Sequence, residues 1–533
     1  MNTPRGVLAS ASRRRAACLA LLAALALAAC GGDDDGGAGS PTLTAPASAS
    51  KPSGAREVTD LAQAQPLLSV TGHAAGDLAS DIPALAAGDF NGDGTDDLLI
   101  GARFADPGGR ADAGEAYIVF GSANIGGTAE LGSGGVTIAG KRTGDNLGFS
   151  AAAADWNGDG TDDLAVGAPF AGAGAASEGT TGAVYIIFGR DGLDGRLEAA
   201  GAADVALFGN SPSGFFGDSM ATGDVNGDGT ADLVVGATFA QRTGGGAQTG
   251  AAYVFFGRSD WPAELSSAGD YDAALFGEDN LDELGDTVAV GDMNGDGIDD
   301  IIATSEAADG PGNERSVAGE VVIMLGDEDL EGETVVGTDS VATRLYGAEQ
   351  NDTLGFDLAA GDLDGDGTGD LAMTARLAGG PGNNRSSAGE AYVLFGGSDL
   401  PEEIDLASDQ GSLVGYYAPD AADLMGRVAI VPAGDGPGQL LLGVAFADGP
   451  AGDRDGAGEV YRLDPNRIAG MVAVDEAARA AAYGAQAGDA LGSSFVTLDI
   501  NGDGARELAI VAAGADTSPN QADYGIVYVI AWP

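Results

Sequence analysis

Gly88-Asp89-Phe90-Asn91-Gly92-Asp93-Gly94-Thr95-Asp96-Asp97-Leu98 is an acidic, glycine-broken stretch set between two short apolar runs. The pattern D-x-[ND]-G-D-G-x-x-[DE]-L begins again at Asp155, Asp224, Asp292 (with Ile301 in place of the Leu), Asp362 and Asp499. The steps are 66, 69, 68 and 70 residues, and then 137. The last step is about twice the others, so a seventh copy belongs midway. Ala433-Gly434-Asp435-Gly436-Pro437-Gly438-Gln439-Leu440 stands there, keeping the approach and exit of the motif without its acids.

Working outward, each unit holds four runs of strand length, rich in β-branched or aromatic residues and bounded by Gly and Asp. In the fourth copy, Thr287–Gly291 precedes the acidic stretch and Ile301–Ala303 follows it. Gly319–Gly326 and Thr343–Gly347 come next. No unit contains a 10–12-residue segment of helical period, which excludes a helical solenoid. Four strands per unit, seven times over, predict an all-β chain: a seven-bladed β-propeller of four-stranded blades. The last strand of each unit is expected to finish in glycine: Gly72, Gly140, Gly209, Gly277, Gly347, Gly415 and Gly484. The first of these precedes the first acidic stretch. The ring is therefore expected to close by pairing the C-terminal strand, Tyr524 to Ile530, with the N-terminal segment Leu67–Thr71, completing the last blade and removing two exposed edges.

In D-x-N-x-D-G-x-x-D, side-chain oxygens at positions 1, 3, 5 and 9 and a backbone carbonyl at position 7 converge on one centre. Such hard donors suit Ca2+ better than zinc or copper. The expected metal ligands are Asp89, Asn91, Asp93, Thr95 and Asp97 in the first loop, and Asp155, Asn157, Asp159, Thr161 and Asp163 in the second. The third and fourth loops supply Asp224, Asn226, Asp228, Thr230 and Asp232, then Asp292, Asn294, Asp296, Ile298 and Asp300. The last two supply Asp362, Asp364, Asp366, Thr368 and Asp370, then Asp499, Asn501, Asp503, Ala505 and Glu507. An EF-hand needs Glu at position 12, where the first and third copies carry Ile100 and Val235, and the flanks are strand-like. About six Ca2+ sites are thus expected, stiffening a protein that has no other staple.

These features resemble the FG-GAP repeat family, the seven-bladed propeller at the N-terminus of integrin alpha subunits, over roughly residues 60–533. Phe216-Gly217 and Gly167-Ala168-Pro169 carry the naming motifs, softened elsewhere to Leu147-Gly148, Leu284-Gly285, Leu354-Gly355, Met425-Gly426 and Leu491-Gly492. The resemblance implies Ca2+ in hairpin loops on one face and partners bound on the opposite face. Six acidic loops are more than an integrin subunit usually has.

Residues 1–30 read as a leader. Arg5, Arg13, Arg14 and Arg15 precede the apolar run Ala16–Ala29, which is too short to span a bilayer. Leu27-Ala28-Ala29-Cys30 resembles a bacterial lipobox, which implies lipidation of Cys30. Cys18 leaves with the leader, so no internal disulfide is possible. Residues 31–58, nearly all Gly, Ala, Ser, Pro and Asp, read as a flexible tether, and residues 59–533 as the propeller. The expected location is the cell envelope, at the outer membrane or cell surface, with membrane contact through the lipid alone and a monomeric propeller. A net charge of −57, with no basic patch, argues against nucleic acid as a partner.

A glycine-rich loop between the second and third strands carries Arg110, Arg315, Arg385 and Arg454, each four residues before a glycine. Glu115, Glu320, Glu390 and Glu459 follow those glycines. The arginines either brace their loops against these acids or offer guanidiniums to an acidic glycan or peptide partner. Catalysis finds little support. His73 is the only histidine, and Tyr117, Tyr185, Tyr253, Tyr392, Tyr461 and Tyr528 share one repeated strand as packing residues. The leading expectation is a non-enzymatic, calcium-stabilised binding or adhesion module with an unidentified protein or glycan partner. A polysaccharide-active hydrolase or lyase using acidic residues, and a scaffold of an envelope complex, remain as alternatives.

Overall fold

In the first acidic unit, Leu85–Gly88, Asp97–Ala102, Glu115–Val119 and Val136–Ala139 pair in that order as antiparallel neighbours. The computed structural model describes residues 56–74, 76, 78, 84–172, 180–242, 246–408, 413–433, 436–465, 470–516 and 524–532. The expected leader, Cys30 and most of the expected tether lie outside the described residues, as does Asp435 of the decayed copy. Across the described residues the same unit recurs in seven sheets. No described helix is long and apolar enough to cross a membrane.

The ring follows from where small and large residues fall. The first strands are poor in bulk, Leu-Ala-Ala-Gly in blade 1 and four alanines in blade 2. They contact one another in succession around the ring, and the circuit closes where Leu491–Leu498 of blade 7 meets Leu85–Gly88. Second strands such as Asp97–Ala102 and Asp163–Ala168 are buried along their whole length. Each sheet is covered on both faces by its neighbours, so those strands read as nearly continuous apolar runs rather than alternating ones. The core is accordingly a set of seven layers between adjacent blades. One layer joins Leu99, Ile118 and Ile138 of blade 1 to Leu164, Val166 and Tyr185 of blade 2.

The softened motifs have a steric reason. A Cβ on Gly167 would lie 2.1 Å from Ser150 Oγ and 2.3 Å from the Gly217 carbonyl of the next blade. Gly101 and Gly236 meet the Gly148 and Gly285 carbonyls equally closely, at 2.2 and 2.1 Å. The glycines permit this backbone-to-backbone contact between blades.

Closure is as expected. Leu68–Thr71 pairs antiparallel with Ile526–Ala531 in the register Leu68↔Val529, and Val70 is fully buried. A second N-terminal strand, Glu57–Asp60, runs parallel to Ala480–Tyr483 of blade 6. The folded body therefore takes in residues that composition assigns to the tether.

The blades hold five strands rather than four. The fifth comes from the connection between the third and fourth strands of the following blade. Gly195–Glu198 adds in parallel to Val136–Ala139, and Glu403–Asp405 to Thr343–Tyr346. In the closing blade this strand is Gly127–Glu130, and on blade 6 Glu57–Asp60 takes the place. These edge strands are short and mostly exposed, with no apolar run to announce them. Blade 5 departs from the glycine pattern. Gly415 lies inside Val414–Tyr417, and Ala418 makes the bond to the Gly389 carbonyl that Gly347 makes to Gly319 in blade 4.

Candidate functional site

The hairpin register sets the acidic loop. Gly88 pairs with Asp97, leaving residues 89–96 to make the turn, with Gly92 and Gly94 at φ 72° and 85°. The Asp93 and Gly94 N–H groups donate to Asp89 Oδ1 (2.9 Å) and Oδ2 (2.7 Å). Asp93 N–H also donates to Asn91 Oδ1 (2.8 Å), and Thr95 N–H to Asp93 Oδ1 (3.0 Å). The loop thus curls around its own first carboxylate before any ligand is considered.

Position 9 is held from elsewhere. Asp97 is fully buried, with Phe90 N–H donating to Oδ2 (3.1 Å) and Gly121 N–H, beyond the third strand, to Oδ1 (2.8 Å). The arrangement repeats. Asp163, Asp232, Asp300 and Asp370 are also fully buried and accept from Gly189, Gly257, Gly326 and Gly396 at 2.8–2.9 Å. Position 1 repeats as well: Gly160, Gly229, Gly297, Gly367 and Gly504 donate to Asp155, Asp224, Asp292, Asp362 and Asp499 at 2.7–2.9 Å.

The expected ligands of each loop fall within one short turn, yet among the described residues only the fifth loop draws the oxygens of three acids together, and Asp366 is not one of them. In the fifth loop, carboxylate oxygens of Asp362, Asp364 and Asp370 lie within 4.8 Å of one another. In the last loop, Glu507 is 4% exposed; Asn501 Nδ2 donates to its Oε1 (2.8 Å), while Oε2 is buried without a partner. An orphaned buried carboxylate oxygen and crowded oxygen donors fit a hard divalent cation. Burial, reinforced by the neighbouring carboxylates, pushes the Asp97, Asp163, Asp232 and Asp300 carboxyls up to about 7. Crowding of this kind is unfavourable while the charges stand alone. In blade 6, Met425–Ala433 and Gly436–Val444 pair as far as Ala433↔Gly436, so the acidic turn has no counterpart there.

On the opposite face the four arginines are tied within the chain, to different acids from those the sequence suggests. Arg110 pairs with Glu198 (3.0 Å), Arg315 with Asp405 (2.6 Å) and Arg454 with Asp60 (2.8 Å). Glu198, Asp405 and Asp60 are each the last residue of a fifth strand. Where that strand ends in Ala473, Arg385 donates to the Pro419 carbonyl (3.0 Å) and lies over the Tyr417 ring at 4.9 Å. The glutamates after the loop glycines turn inward. Glu115, Glu390 and Glu459 accept the hydroxyls of Tyr117, Tyr392 and Tyr461, and Glu320 meets Arg344 (2.5 Å). The repeated tyrosines Tyr117, Tyr185, Tyr253, Tyr392 and Tyr461 are all buried. His73 meets Glu130, the last residue of the fifth strand of blade 7, at 2.9 Å.

Sequence reasoning missed the acids at position 8, Asp96, Asp162 and Asp299, which reach the neighbouring blade. Their only sequence signal is an Asp doublet at positions 8 and 9.

A family model described as FG-GAP repeat matches residues 83–119, 147–187, 216–255, 284–324 and 354–394, which run from the first to the third strands of blades 1 to 5. Phosphatidylinositol-glycan-specific phospholipase D of Bos taurus is 32% identical over 286 residues, 51% of this chain and 30% of that relative. Integrin alpha-5 of Xenopus laevis is 32% identical over 180 residues, 33% of this chain and 15% of that relative. Integrin alpha-PS2 of Drosophila melanogaster is 34% identical over 179 residues, 33% of this chain and 11% of that relative. The chain thus spans less than a third of the length of each of these relatives. Motif, sheet order and match together establish that it carries five FG-GAP repeats, on blades 1 to 5 of a seven-bladed propeller.

Proposed function

We propose that the protein is a calcium-stabilised, non-enzymatic binding or adhesion module, held at a bacterial cell envelope by a lipid on Cys30. The observation that carries this reading is the repetition of one all-oxygen loop around a single face, with the first carboxyl of each loop and the ninth of five of them held by backbone N–H groups. A bound cation offsets the repulsion within each loop and stiffens the hairpin, leaving the opposite face to present its loops to a partner. Similarity to integrin alpha subunits supports the binding role. The full chain should take up about six Ca2+ ions by calorimetry and melt at a lower temperature in chelator. Unchanged melting and unchanged proteolysis in chelator would remove calcium from the account. Capture of a stoichiometric partner from glycan arrays or envelope extract would support the binding role.

A second reading rests on the relatives named phosphatidylinositol-glycan-specific phospholipase D, whose matched stretch is at most 30% of their length. On that reading, or on one in which paired acids cleave a polysaccharide, the purified chain turns over a phosphatidylinositol-glycan or polysaccharide substrate. Sustained turnover would displace the binding module.

A further inference from the structure

Acidic loops on adjacent blades touch, but not at every junction. Position 8 of the repeat is no ligand in the pattern, yet its side chain crosses to the preceding blade. Asp89 N–H donates to Asp162 Oδ2 (2.9 Å), Asp224 N–H to Asp299 Oδ2 (3.0 Å) and Asp499 N–H to Asp96 Oδ2 (2.8 Å). In each case the carboxylate of one loop holds the backbone of position 1 in the loop before it. Where position 8 is Gly369, its backbone N–H donates to the Asp292 carbonyl (2.7 Å) and makes the same crossing. Position 7 adds packing. Thr161, Thr95 and Thr368 lie against Gly92, Gly502 and Gly295, with Oγ1 at 3.5, 3.2 and 3.0 Å from where a Cβ would stand.

The position 8 contact is missing at two places, although Arg258 N–H still donates to the Trp156 carbonyl across the first (2.9 Å). Between blades 2 and 3, position 8 is Ala231, with no side-chain acceptor, and a Cβ on Gly158 would meet nothing within 4 Å. The junction is filled by Trp156 instead, whose Nε1–H donates to Thr222 Oγ1 (3.1 Å). The other gap is blade 6, which carries no acidic turn between its first two strands.

We propose that the loops form two arcs of three, blades 7-1-2 and blades 3-4-5, within which loading a cation in one loop orders the loop before it through position 8. Asp162 is bonded in sequence to Asp163, which occupies ligand position 9. Asp163 is already held by the Trp156 and Gly189 N–H groups; a cation seated against it would add to that hold, keep the Asp162 carboxylate on the Asp89 N–H, and so steady the first ligand of the neighbouring loop. Asp96 and Asp299 do the same for Asp499 and Asp224. The coupling runs through the position 8 contacts and stops where position 8 makes none. Asp162, Asp96 and Asp299 are positioning residues, and the inference rests on the calcium reading above.

The test uses the full chain and Ca2+ alone, with hydrogen exchange of the loop amides followed across a calcium titration. Asp159→Ala removes a ligand from the blade 2 loop. It should raise the calcium needed to protect residues 89–97 by about fivefold, the lower end of ordinary coupling between sites, and leave residues 224–232 unmoved. Asp162→Ala removes no ligand and should shift residues 89–97 in the same direction. Asp162→Asn keeps an acceptor oxygen and should stay near the unsubstituted protein. The proposal is overturned if Asp159→Ala leaves residues 89–97 unmoved, or if either alanine variant shifts 89–97 and 224–232 alike. If calcium protects no loop in the unsubstituted protein, the calcium reading itself fails and the coupling falls with it. Independent protection of each loop sinks the coupling only.

Discussion

Arg315 and Arg110 hold the same place in their blades, yet their surroundings give them different weights. Arg315 is 19% exposed at its side chain, donates to the carbonyls of Gly347 (2.6 Å) and Ala348 (3.1 Å), and pairs with Asp405. Arg315→Ala takes the guanidinium donor from the Gly347 and Ala348 carbonyls and leaves Asp405 with only the Ala407 N–H, so about 2–4 kcal/mol of stability should be lost. Arg110 and Glu198 are 32% and 54% exposed, and solvent screens them. Arg110→Ala should cost less than about 1 kcal/mol. Denaturant unfolding of the two variants separates these expectations, and equal losses would refute them. Charge state adds a second prediction away from the acidic loops. Asp352 and Asp423, 6% and 5% exposed, accept the Glu349 N–H (2.9 Å) and Asp420 N–H (3.2 Å). Burial pushes both carboxyls up to about 7 from an ordinary 3.8. Between those values the folded chain holds protons that the unfolded chain has released, so these groups favour folding at low pH and lose that contribution as pH rises. Asp352→Asn should therefore raise the melting temperature most at pH 8, less at pH 5, and change it little near pH 3. A shift of equal size at all three would contradict the assignment.

The strands that were legible in the sequence are those that carry the core. Asp300–Ser305 is buried at every position and Glu320–Met324 likewise, so their apolar runs show directly. The fifth strands were not legible, because Gly332–Val335 and Gly127–Glu130 gain only an edge and bury little. The acidic loops were legible because their oxygen-bearing residues fall within nine residues of one another. The arginine partners were not, since Arg110 and Glu198 are 88 residues apart and Arg454 and Asp60 are 394 apart. Closure makes the two N-terminal strands unequal. Glu57–Asp60 only adds to the outside of blade 6, whereas Leu68–Thr71 lies between Ile526–Ala531 and Gly127–Glu130 and buries Val70 against the blade 7 to blade 1 layer. A chain beginning at Leu61 should melt a few degrees lower without aggregating. One beginning at His73 exposes an unpaired edge on Ile526–Ala531 and should aggregate on heating. Light scattering during thermal melts compares them, and identical behaviour would mean that the seal at Leu68–Thr71 contributes nothing.

At the scale of the whole ring, repulsion between acids governs the response to salt, because 81 acids face 24 basic residues in a chain with formal charge −57. Self-repulsion of this size opposes the compact state, and salt relieves it over distance. The Debye length falls from about 30 Å at 0.01 M to about 3 Å at 1 M. Sodium chloride should therefore raise the melting temperature of the calcium-free protein by screening acids on different blades. Within a loop the geometry is different, since the oxygens of Asp362, Asp364 and Asp370 lie within 4.8 Å of one another. Monovalent ions screen so short a range poorly, whereas a divalent cation seated among the oxygens neutralises it directly. On the calcium reading, millimolar CaCl2 should raise the melting temperature well beyond NaCl of equal ionic strength. The Asp362→Ala variant should lose part of that excess and keep the NaCl response. If the two salts act alike at matched ionic strength, the loops behave as diffuse negative charge and not as sites.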